Sequence, residues 1–143
     1  MNNINCKHPG FLTDDNRIYD WIYVHVILID NYGKKIKLPF GKVKKYFIIN
    51  PDKSVNFIGL NIYKEIHINT YVTYIAVNFN NVDSKFSCKK CEKLRTLIGC
   101  PYYCIEFDCS YCDSLTSLEG APQQCEEFNC SHCTNLTSLE GAP

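Results

Sequence analysis

Apolar residues fall in short runs through the first half of the chain. From Phe86 onward they recur at a fixed step. Phe86, Phe107 and Phe128 are 21 residues apart, as are Cys88, Cys109 and Cys130, and Cys91, Cys112 and Cys133. Leu-Thr-Ser-Leu-Glu-Gly-Ala-Pro fills Leu115–Pro122 and returns at Leu136–Pro143, with a worn copy at Leu94–Pro101. A period of about 20 to 29 residues marks stacked units that share one core, so a solenoid is expected over 81–143, with about three turns. On a strand, residues two apart share a face. Phe107 and Cys109 therefore point inward, while Glu106, Asp108 and Ser110 point outward. Stacking in register sets Phe86, Phe107 and Phe128 in a ladder at about 4.8 Å, the spacing of parallel strands. Leu94, Leu97, Leu115, Leu118, Leu136 and Leu139 complete the expected interior. Gly99, Gly120 and Gly141 give freedom at the bend, and the prolines that follow hold the return extended.

Upstream, the pattern predicts strands. Asp20–Ile29 is dominated by β-branched and aromatic residues and reads as a buried strand. Asn31-Tyr-Gly33 turns the chain so that Lys34–Leu38 returns antiparallel. Lys45–Ile49 and Ser54–Ile58 flank Asn50-Pro-Asp-Lys53, which has the residue order of a turn, so a second hairpin is expected. Leu60–Val77 continues in short strand-like pieces, Ile66–Ile68 and Tyr71–Val77. The polar residues 1–17 read as a loosely ordered arm, with Thr13-Asp-Asp-Asn16 as a turn or helix cap. The region 18–80 is then a β-rich cap on the solenoid, since a first turn would otherwise expose its core to water.

One unit, Cys104–Pro122, reads as L-x-x-L-x-L-x-x-N-x-x-L-x-x-L when its core cysteines stand for Leu and Cys112 stands for Asn. It resembles the leucine-rich repeat, in the short form of bacterial effectors. Phe47–Gly59 and Phe79–Cys88 are similar to the cap and first strand of leucine-rich repeat proteins of phages and giant viruses. A composition rich in Asn, Ile, Lys and Tyr agrees with an AT-rich genome. The resemblance implies a mainly β fold: a β-rich N-terminal cap, then parallel strands on a concave face and an extended convex side. It adds little about function; because no catalytic constellation stands out in the sequence, the expected role is a non-enzymatic protein-interaction module that binds through the concave face of the repeats.

Fifteen basic and fifteen acidic residues cancel, which leaves no footprint for a nucleic-acid or membrane-surface partner. The longest apolar run is about half of what spans a bilayer. No basic segment precedes an apolar one at the start, so no signal peptide is read and a cytoplasmic setting is expected, the host's if the source is viral. In a reducing compartment the ten cysteines are thiols or metal ligands rather than disulfides. Two Cys-x2-Cys pairs match zinc spacing, either Cys88, Cys91, Cys109 and Cys112 or Cys109, Cys112, Cys130 and Cys133. That makes a zinc-binding structural domain the rival to the repeat. The cysteines recur in phase with Phe, Leu, Gly and Pro, which zinc does not need, and free Cys serves as a small hydrophobe. The favoured expectation is a structural ladder with no cofactor. Cys100 replaces the Ala of later repeats, and Cys6 lies in the arm.

Partner-binding candidates are the outward strand positions: Lys85, Lys89, Glu106, Asp108, Tyr111, Glu127, Asn129 and His132. The first turn is basic and the next two acidic, so a protein with a basic patch is the expected partner, anchored by Tyr111 and His132. Polar outward residues also serve solubility on any fold. His8, His25, His67 and His132 stand in no catalytic motif, and there is no phosphate loop or His-Glu-x-x-His. Two further expectations concern architecture. The N-terminal residues 1–60 could form a separate targeting or regulatory domain, and the last turn offers an open edge for self-association.

Overall fold

The structure, a computed structural model, describes residues 14–36, 38–58 and 63–143. Most of the expected arm, with Cys6 and His8, lies outside these residues, as do residues 59–62 at the start of the Leu60–Val77 stretch.

The chain opens on a helix, where a strand was expected. Helix α1 runs Asp15–His25, and strand β1 follows at Val26–Asp30. The Asp14 carboxylate caps the helix by accepting from the Arg17 N–H at 2.9 Å, one of the donors a helix start leaves unpaired. Ile18, Trp21 and Ile22 are buried at helical spacing, while Val24 faces solvent. Composition favoured a strand over Trp21–His25. The three-and-four spacing and the Asp14 cap decide otherwise.

The expected hairpin follows: β1 pairs antiparallel with β2 (Lys35–Ile36) across the Asn31–Gly33 turn. A 3-10 turn (Phe40–Lys42) leads into a short helix α2 (Val43–Tyr46), so Lys45 and Tyr46 are helical rather than extended. Strands β3 (Phe47–Ile49) and β4 (Ser54–Phe57) form the second hairpin. Its turn closes with Lys53 N–H on the Asn50 C=O at 2.9 Å. Strand β5 is Tyr63–Ile68, and β6 is Asn78–Phe79. Tyr71–Val77, expected as strand-like, is a bend whose Val72 and Ile75 turn inward.

The solenoid strands are β7 (Asn81–Ser87), β8 (Tyr103–Asp108) and β9 (Glu127–Asn129). They are parallel and in register, Phe86 to Phe107 to Phe128. Six strands form one sheet in the order β2-β1-β5-β7-β8-β9, and β3-β4-β6 form a second. The protein is mainly β, with a β-solenoid of about three turns. Strand β5 is the hinge of the design. It is antiparallel to β1 and parallel to β7, with Ile66 beside Phe86. The region before the repeats and the repeats therefore share one continuous sheet.

The Phe rings stack at 6.2 Å and 2° between Phe86 and Phe107, and at 5.5 Å and 13° between Phe107 and Phe128. Both spacings exceed the separation of about 4.8 Å between neighbouring strands, so the rings are not in closest face-to-face contact. Phe79 closes the other end against Phe86, edge on, at 5.0 Å. Cys88, Cys91, Cys109, Cys112 and the four leucines 94, 97, 115 and 118 are fully buried, as the ladder requires. Burial declines in the last coil. Cys133 is buried, while Phe128, Cys130 and Leu136 are half-buried and Leu139 is 66% exposed, which removes it from the interior. Gly99 and Gly120 sit at φ +107 and +93, where a Cβ would strike the preceding coil's backbone. Their role is close approach as much as bending. Among the described residues, no helix is long and apolar enough to cross a membrane.

Candidate interaction face

The outward side of the sheet presents charge in a column. Its register is Glu65, Lys85, Glu106, Glu127, one from each parallel strand. Lys85 lies 4.0 Å from Glu106. Glu65 is engaged by His67, Nε2 to Oε1, at 2.6 Å. Of the residues expected to carry binding, Lys85, Glu106 and Glu127 fall in this column, with one change of sign pattern. Lys85 does not begin the column, because β5 places Glu65 before it. The acidic end is Glu106 and Glu127, and Glu127 makes no ion pair among the described residues. A groove of about 450 Å³ beside this column is lined by Lys64, Glu65, Asp83, Ser84, Lys85, Ile105 and Glu106. Glu65 and His67 were missed because Ile66-His-Ile68 belongs to a coil with no Phe, Cys or Gly copy of the repeat.

The neighbouring column is His67, Ser87, Asp108 and Asn129. Asp108 is buried, not presented. Its Oδ1 accepts from the Ser110 N–H at 2.9 Å and from the Ser110 hydroxyl at 2.6 Å. The same turn is closed by the Asn129 Oδ1 on the Ser131 N–H at 2.9 Å and by the Ser87 Oγ on the Lys89 N–H at 3.2 Å. Alternation along a strand assigns a face but cannot foresee a side chain that folds back on its own turn. Lys89 and Asn129 remain exposed, while Ser87 and Ser110 are buried.

The turn tips carry Lys90, Tyr111 and His132, all left-handed at φ 64, 60 and 58. Non-glycine residues rarely occupy that region. Tyr111 and His132 stack face to face, 4.5 Å apart and 11° from parallel. Tyr111 is 41% exposed. The two expected anchors thus form one aromatic platform on the turn tips that follow β8 and β9.

The nine described cysteines are free thiols, and three of them bond to backbone carbonyls of the preceding coil. Cys112 Sγ donates to the Cys88 C=O at 3.1 Å, and Cys133 Sγ to the Cys109 C=O at 3.1 Å. Cys91 reaches the Ile68 and Asn69 carbonyls at 3.7 and 3.6 Å. Each coil is tied to the one before by its turn cysteine. Burial pushes Cys91 and Cys104 up to about 12. Cys109 is raised by burial, and Cys112 first by its contact with the Cys88 thiol and then by burial. Protonated thiols are poor nucleophiles. Among the described residues, no three His, Cys, Asp or Glu side chains stand where they could hold a metal ion. No protein-family model, curated protein or solved structure matches the chain.

Proposed function

We propose that the chain is a non-enzymatic interaction module of the leucine-rich repeat kind, which binds an extended basic segment of a partner protein along its outward charge column. The observation that carries this is the in-register pair Glu106 and Glu127, on strands whose following turns carry the stacked Tyr111–His132 platform. Two carboxylates one strand apart and a flat aromatic surface suit Lys or Arg side chains, by charge and by cation–π contact. The repeat assignment is supported by the thiol-to-carbonyl ties of Cys112 and Cys133, at the position where the repeat consensus carries Asn or Cys. On this reading α1 to β6 cap the first coil, and the nine free cysteines among the described residues suit a reducing cytoplasm.

The test is fluorescence anisotropy with a labelled Lys/Arg-rich peptide and an acidic control. The basic peptide binds, more weakly as salt rises, because exposed charges are screened within about 10 Å at 0.1 M salt. Reversing Glu106→Lys together with Glu127→Lys abolishes binding, and Tyr111→Ala weakens it. Equal capture of both peptides, or binding indifferent to the charge reversal, refutes the proposal.

A further inference from the structure

The balance of fifteen basic and fifteen acidic residues hides a segregation. Between Lys34 and Lys45 stand six lysines and no carboxylate, whereas residues 96–143 hold seven carboxylates and no Lys or Arg. In the sheet order β2-β1-β5-β7-β8-β9, Lys35 lies on β2 and Glu106 and Glu127 on β8 and β9. Strands β2 and β9 are five spacings apart, about 24 Å. Exposed charges at that separation are screened from one another at about 0.1 M salt, so each end acts on its own surroundings.

Five of the lysines are described, Lys34, Lys35, Lys42, Lys44 and Lys45, and all five are exposed. None of them pairs with a carboxylate among the described residues. The apolar residues between them turn the other way. Leu38 and Val43 line a small hollow with Ile22, Val26 and Leu28, and Ile36 packs against the same core. Tyr32 stands at the tip of the adjoining hairpin, with its ring 95% exposed. The Asp30 carboxylate accepts from the N–H groups of Tyr32 and Lys34, both at 2.9 Å, which fixes the shape of that tip. Among the described residues the Tyr32 ring has no ring or cation partner.

We propose that this basic edge binds single-stranded nucleic acid without sequence preference, with the lysines along the phosphates and a base stacked on Tyr32. Lysine is a point charge that neutralises phosphate and lacks the fork by which arginine reads a base edge. A bare ring stacks on any unpaired base, and the interior of a duplex offers none. A membrane surface would need apolar side chains beside the lysines to enter the lipid, and Ile36, Leu38 and Val43 face the core instead. The acidic coils repel phosphate, so the strand is held at the β2 end alone. This inference does not rest on the proposed peptide-binding role, which uses the other end of the sheet.

Fluorescence anisotropy of the full chain with a labelled oligothymidylate of about 15 nucleotides tests it, a length that covers one typical site. Binding saturates at low salt, and log K falls with log salt at a slope of about −3, since each single-strand phosphate contact contributes about −0.7. Tyr32→Ala weakens binding roughly tenfold, and Tyr32→Phe keeps it. Tyr71→Ala is the control: Tyr71 is 80% exposed but follows the far end of β5, and its loss changes nothing. Lys42→Gln, Lys44→Gln and Lys45→Gln together flatten the slope by about 2. Circular dichroism checks that each variant stays folded. The absence of saturable binding overturns the proposal, as does equal binding to a duplex of the same length. So does indifference to Tyr32→Ala, or tighter binding to phosphatidylserine vesicles than to the oligonucleotide.

Discussion

Replacing Gly120 by Ala adds one methyl group, and the structure sets what that methyl meets. At φ +93 a Cβ would stand 2.6 Å from the Ile98 Cα and 2.5 Å from the Leu97 carbonyl carbon, both backbone atoms of the preceding coil. Neither atom can rotate away, so the coils must separate. Placing an L-residue in left-handed backbone costs roughly 1 kcal/mol. Forcing packed elements apart adds about 1–3 kcal/mol. A loss of about 2–4 kcal/mol follows, a large part of the roughly 5–15 kcal/mol that holds a domain folded. Gly33 is the internal control. It too is left-handed, at φ +80, but its Cβ would meet nothing within 4 Å. Gly33→Ala therefore carries the backbone cost alone, roughly 1 kcal/mol. Gly141 falls between, with the Leu118 carbonyl group at 3.1 Å and a last coil free to yield. In urea, with a slope of about 2 kcal/mol per molar, the midpoint falls by about 1–2 M for Gly120→Ala and about 0.5 M for Gly33→Ala. Circular dichroism at fixed protein concentration measures both. Equal shifts at Gly33 and Gly120 would refute the claim that coil-to-coil contact, rather than backbone conformation, fixes glycine at this bend.

Leu115→Ala, at a fully buried site, should lower stability by about 2–5 kcal/mol, whereas Leu139→Ala should change it by less than about 0.5 kcal/mol; chemical denaturation separates them. In the native protein a thiol reagent should modify Cys125 and Cys130, which are partly exposed, long before Cys88, Cys91, Cys109 and Cys112, which are buried; peptide mapping reads the order. Burial lowers the His25 pKa from 6.5, and its Nδ1 is buried without a hydrogen-bond partner. The unfolded chain thus binds the proton more strongly, so this contribution is intact above pH 6.5 and is lost as pH falls through the lower folded value. His25→Phe should flatten that part of the stability profile, and a profile unchanged by the substitution would count against the burial argument.

The periodic half of the chain was legible because each coil reuses the same residues. Phe, Cys, Leu and Gly at a 21-residue step fix strand, interior and bend together, and the in-register stack follows. Upstream, the interior of the preceding coil needs only apolar bulk. Ile66, Ile68, Val72 and Ile75 supply it with no letter in common with the later coils, so β5 went unrecognised as a parallel neighbour. Trp21–His25 shows the opposite failure: strand-favouring residue types lie on a helix because Ile18, Trp21 and Ile22 make one apolar stripe. On the candidate face, strand alternation placed Glu106 and Glu127 correctly. It misplaced Asp108, whose carboxylate is drawn to Ser110 two residues on.

A sheet that is antiparallel at one end and parallel at the other also sets a direction for coming apart. Strand β5 is gripped on both sides, while among the described residues β9 is held only by β8, and ring burial falls from Phe107 to Phe128. In stacked repeats each unit is stabilised chiefly by its neighbours, so opening spreads stepwise from the weaker end. Amide exchange should advance as a front from Glu127 toward Lys85. A protease acting on the opened ends would shorten the chain by whole coils, giving a series of products spaced by one repeat.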